Sequence, residues 1–192
     1  DPAFEGGDKC VLWYWEGHHA KDIRVLAVNS KDTVNYTKEF LELHNVLEEN
    51  FCYDVNGLGQ VYTGFMPNAK PFNNKAMPTN GDRSMFENLK SECAYKAVQR
   101  LKSGGYSMEP FLMGKKFSGK NYKNVMLKDI LMKERKAIAR DTSDTDKNWK
   151  LITKAEMKKL VGHSPDFIES FITREYFDMV KPKTKRIGAC FL

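Results

Sequence analysis

The chain has 192 residues, 41% hydrophobic and 29% charged, with a formal net charge of +6. These values exclude a disordered or collagen-like polymer, and no apolar run approaches the roughly 18 residues of a membrane span. The charge is divided: residues 1–66 carry 5 Lys and Arg against 11 Asp and Glu, whereas residues 67–192 carry 26 against 14. Such a molecule offers a basic side to an anionic partner.

In chain order, Val11, Trp13 and Trp15 alternate with Leu12 and Tyr14. A polar stretch follows, and then Ile23, Val25 and Ala27 alternate with Arg24, Leu26 and Val28. The pattern predicts a β-hairpin with apolar residues on both faces, hence a ribbon covered on both sides. His18 and His19 fall in its turn, where neighbouring side chains point apart and do not naturally chelate one ion. Asn35-Tyr36-Thr37 is an N-glycosylation acceptor pattern. From Thr33 to Phe51 the period becomes helical, with Tyr36, Phe40, Leu43, Leu47 and Phe51 as the apolar stripe and His44 on its border. FCYDV, Asn56-Gly57 and LGQVYTGF then read as a second hairpin with a type I′ turn. On that reading Gly57 and Gly59 are no phosphate loop, since no helix follows them.

Residues 66–82 read as a long connection of the kind that carries contacts. Phe86, Leu89, Cys93, Ala97 and Leu101 predict a helix with Cys93 facing inward. Residues 103–123 interleave Lys115, Lys116, Lys120 and Lys123 with Tyr106, Phe111, Phe117 and Tyr122, a composition suited to an anionic polymer or a membrane surface, although a loop anchored by its aromatics with solvated lysines is the favoured reading. A helix over about 122–140 buries Leu127, Ile130, Leu131 and Ile138 with Glu134 on the same face, and an acid there needs a partner. Residues 141–149 resemble a calcium loop only in composition: Trp149 stands where glycine is required and Ala155 where a bidentate glutamate is. Thr153 and Glu156 form a capping box. A helix from there ends at Gly162, and Ser164-Pro165-Asp166 opens another with Ile168, Phe171, Ile172, Tyr176 and Met179 inside. RIGACFL at the end could return as a strand.

The expected class is α+β: a small antiparallel sheet from two N-terminal hairpins packed against a mostly helical second half, all in one domain. No pattern fixes a reaction, and no cofactor or metal is called for. The pair of helices over 153–179 suggests a DNA-binding motif, but four acids against one base on the second helix oppose its entry into a groove. Four cysteines, Cys10, Cys52, Cys93 and Cys190, suggest two disulfides. With Asn35, and with Asp1 read either as a mature start or as the start of a piece of something larger, they suggest a secreted, non-catalytic binding protein. Its contacts would be the loops 66–82 and 103–123, its partner a protein, a glycan or another anion. The rival expectations are an intracellular nucleic-acid-binding protein using the basic second half, and an enzyme with a pocket between sheet and helices. Convergence of His44, Glu134 and His163 would favour the last.

Overall fold

A computed structural model describes residues 9–26, 30–56, 59–79, 84–119, 122–143 and 148–180. The chain is mixed α+β, as the patterns predict. Strands β1 (Cys10–Glu16) and β2 (His19–Leu26) form the antiparallel hairpin, and β5 (Ser107–Met108) extends it parallel to β2. The apolar residues on both faces of β1 are covered on both sides. Val11, Trp13 and Trp15 pack towards α5 (Leu127–Glu134) and α7 (Asp166–Ile172), while Cys10 and Leu12 pack with Phe40 of α1 (Ser30–Leu43). The tryptophans are therefore core wall. Trp13 meets Phe171 edge-on at 5.6 Å, and its indole N–H donates to Ser170 Oγ at 3.0 Å, the polar partner a half-buried indole requires.

Helix α1 ends at Leu43, earlier than its periodicity suggests, and its inner face is Thr33, Val34, Thr37 and Phe40. Tyr36, Leu43 and Leu47 are exposed. The two threonines can be buried because Thr37 donates back to the Thr33 carbonyl at 2.8 Å and bonds the Tyr62 hydroxyl at 2.9 Å. Of the glycosylation pattern, Asn35 lies exposed mid-helix and Thr37 is buried in the core.

The second hairpin does not form. β3 (Cys52–Asp54) pairs in parallel with β4 (Lys70–Phe72), and the intervening α2 (Gln60–Phe65) makes the crossover. The alternation in LGQVYTGF loses to a helical solution that puts Tyr62 under Phe51 and Tyr53. A helix does follow the glycines. Gly59 is needed there for a close approach, since a Cβ would stand 1.4 Å from the Asp54 carbonyl oxygen.

The segment expected as a loop at 103–123 holds β5, α4 (Pro110–Gly114) and β6 (Lys116–Gly119), the last paired with β7 (Tyr122–Met126). The connection at 66–82 likewise contains β4 and buries Met66, Ala69 and Phe72. Helix α3 (Leu89–Lys102) is capped by Asn88, whose side chain accepts the Ser91 N–H, and buries Leu89, Cys93 and Ala97. The predicted capping box is present at α6 (Lys154–Val161), which stops at Gly162 with φ 76°. The last predicted helix is two, α7 and α8 (Arg174–Met179), meeting at Thr173.

Cys10, Cys52 and Cys93 carry free thiols, which corrects the disulfide expectation for those three; Cys190 and the RIGACFL segment lie outside the described residues. Burial pushes the Cys10, Cys52 and Cys93 thiols up from their usual pKa, so they are packed core groups. No helix among the described residues is long and apolar enough to cross a membrane.

Candidate active site

A cleft of about 830 Å³ opens between the free side of β1, the end of β3 and α7. Asp54, Asp166 and Glu169 line it, together with Lys90 and Lys154. Each is positioned by a local rule. Asp54 ends β3, where Asn56 donates to its Oδ1 from backbone and side chain at 2.9 and 2.8 Å. Asn74, just after β4, reaches its Oδ2 at 3.3 Å. Asp166 and Glu169 lie three apart in the first turn of α7 and so share a face. Asp166 accepts the Ser164 hydroxyl at 2.6 Å and the backbone N–H of Lys9, where the chain enters β1, at 2.9 Å.

The cations come from two other helices. Lys154, in the first turn of α6, holds its ammonium 3.9 Å from Asp166 and 3.6 Å from Glu169. Lys90, in the first turn of α3, pairs with Glu169 directly. One ammonium thus stands within 4 Å of two carboxylates, the place a small cation would take. The donors are hard carboxylate oxygens, suited to Mg²⁺ or Mn²⁺, which are held by one or two carboxylates and completed by water and phosphate oxygens. Among the described residues no group of three or more His, Cys, Asp or Glu side chains is placed to hold a metal ion. The pair Asp166 and Glu169, both within 4 Å of the Lys154 ammonium, fits such an ion, and Asp54 lines the same cleft.

Beneath the cleft, Glu134 is fully buried on α5. Burial pushes its carboxyl up to about 8, against the opposing pull of the Ile168 N–H. His163 Nδ1 stands 3.5 Å from its Oε1. His44 is elsewhere, stacked on Tyr14 at 4.2 Å and bonded to Asp22 at 3.2 Å, so two of the three groups converge and the third does not. His18 and His19 turn to different partners, Asp178 and Glu109.

The binding candidates of the 103–123 segment scatter. Tyr106 sits among Trp15 and Phe171 with its hydroxyl donated to Glu175, and Phe117 packs edge-on against Phe167. Lys115 donates to Asp22 and to the Ile23 carbonyl at 3.1 and 2.7 Å. Phe111, Lys116 and Lys123 are exposed, and Lys120 lies outside the described residues. Sequence reasoning passed over all five cleft residues. The one local signal was the Asp-x-x-Glu spacing that opens α7, which counted there as an electrostatic objection to nucleic acid.

No protein-family model matches the chain, and no curated protein matches it. Solved structures do. The nuclease domain of the large terminase subunit of bacterial virus Sf6 aligns with a TM-score of 0.69 at 16% identity, covering 94% of this chain and 86% of that one. The chain shares the fold of that domain. A lysine-to-alanine mutant of the same domain with calcium aligns with the same score, identity and coverage. The mutant with manganese and β-thujaplicinol aligns with a TM-score of 0.67 at the same identity and coverage. This likeness overturns the expectation of a secreted, extracellular, non-catalytic binding protein. The free thiols of Cys10, Cys52 and Cys93 remove the disulfides that expectation leaned on, and the glycoprotein expectation falls with it.

Proposed function

We propose that the chain is an intracellular nucleic-acid-cleaving domain that hydrolyses phosphodiester bonds in this cleft with a divalent cation. The observation that carries the reading is one cleft lined by Asp54, from a strand end, and by Asp166 and Glu169, from a helix start, with the Lys154 ammonium within 4 Å of the latter two and Lys90 paired with Glu169. Asp166 and Glu169 would hold the ion with Asp54 completing the set. Bound there, it would supply charge neutralisation at the phosphate and an activated water. Lys90 and Lys154 screen the carboxylates from an approaching phosphodiester anion, which the acids alone would repel. The amides of Asn56 and Asn74 and the hydroxyl of Ser164 fix the carboxylate rotamers, so little reorganisation is left for substrate binding.

The fold neighbours support the reading, being a nuclease domain and its complexes with calcium and manganese. So does the +12 charge of residues 67–192, and exposed Lys116 and Lys123 on the β6–β7 hairpin are suited to the phosphate backbone. The test is cleavage of supercoiled plasmid with Mn²⁺ or Mg²⁺ and with chelator. Metal-dependent nicking that falls at least 100-fold in Asp54→Asn and in Glu169→Gln is expected. Cleavage insensitive to both substitutions would place the chemistry elsewhere.

A further inference from the structure

Helix α7 brings two of the three carboxylates into the cleft, yet it has no cap of its own. Pro165 occupies the capping position and offers no side-chain acceptor, and the nearby Ser164 hydroxyl is turned to the Asp166 carboxylate. The first-turn amides of a helix need acceptors when buried. Here the acceptor comes from another helix: the Ile168 N–H donates to Glu134 Oε2 at 2.8 Å. This amide lies between Asp166 and Glu169 in the chain.

Glu134 is otherwise out of place. It stands on the face of α5 that buries Leu127 and Ile130, is 0% exposed, and its Oε1 has no hydrogen-bond partner, its neighbour being His163 Nδ1 at 3.5 Å. An apolar side chain would suit that position better on packing grounds alone. Resting on the reading of the cleft as a nuclease site, we infer that Glu134 is a positioning residue: from α5 it caps the first turn of α7 and sets where Asp166 and Glu169 stand. A misplacement of about 1 Å in such a set is enough to cost on the order of 100-fold in rate.

The full chain carrying Glu134→Gln, which keeps an acceptor oxygen of the same reach, is compared with Glu134→Leu, which fills the space and removes it. Three readouts are taken at a temperature where circular dichroism shows both variants folded: amide hydrogen exchange across residues 166–169, Mn²⁺ affinity by calorimetry, and the kcat and KM of metal-dependent DNA cleavage. Glu134→Leu is expected to speed exchange at Ile168 at least tenfold, weaken Mn²⁺ at least tenfold and lower kcat with KM for DNA little changed. Glu134→Gln should stay within threefold of the parent in all three. Unchanged exchange in Glu134→Leu would overturn the inference whether or not the protein cleaves DNA. Faster exchange with unaltered Mn²⁺ affinity and kcat would overturn the positioning role and leave the nuclease reading intact. A parent chain that neither binds Mn²⁺ nor cleaves would remove the site the residue is said to position, and the positioning role with it.

Discussion

The removal of Arg100 tests how α8 is held under the hairpin. Glu175 is 1% exposed and accepts the Arg100 Nε at 2.6 Å, the Nη2 at 3.1 Å and the Tyr106 hydroxyl. Burial alone would raise its pKa, but Arg100 and Tyr106 outweigh it and hold the carboxylate below its usual 4.5. Breaking a buried pair costs about 3–5 kcal/mol, because the remaining charge has no compensation. Arg100 is 31% exposed and Tyr106 stays as a donor, so Arg100→Leu should sit at the lower end, about 3 kcal/mol at pH 7. For a chain of this size that is a fall of roughly 6–12 °C in Tm. The folded-state pKa of Glu175 is depressed. Its contribution is therefore fully present above the unfolded value of 4.5 and is lost as pH falls through the folded value. In the variant the acid is relieved by taking up a proton, so the gap between parent and variant should narrow towards pH 3.5. Urea denaturation at both pH values measures it. A loss under about 0.5 kcal/mol at pH 7, or one that does not shrink on acidification, would refute the reasoning.

Gly59→Ala should unsettle the β3–α2 junction and swing Asp54, because the added Cβ meets backbone that cannot move aside. A drop of several degrees in Tm together with reduced Mn²⁺ affinity is the expected result, and an unchanged melting curve would count against it. Thr153→Ala removes the α6 cap and should cost about 1 kcal/mol in urea denaturation, with Thr153→Ser recovering most of it. Phe167→Ala opens a cavity where Phe117, Ile130 and α7 meet, and a loss of about 3–5 kcal/mol is expected, read in the same way.

Periodicity and local chemistry by themselves determined the α+β class, the Trp-rich hairpin covered on both faces, the inward turn of Cys93, the capping box at Thr153 and the stop at Gly162. Each of these is signalled within a few residues of chain, by side-chain spacing or by a cap hydrogen bond, although the covering of the hairpin is supplied by distant helices. The second pairing was decided otherwise. LGQVYTGF carries both strand and helix tendencies, and a parallel partner for β3, reached only through a crossover, tipped it to helix. The cleft belongs to the tertiary structure alone. Its carboxylates stand at positions 54, 166 and 169 and its lysines at 90 and 154, and only the packing of α3, α6 and α7 around β1 and β3 brings their charges together. Electrostatic attraction acts over ångströms in space, so an acid that reads in the sequence as repelling nucleic acid stands in the fold paired with lysines from two other helices, an arrangement no local stretch of chain encodes.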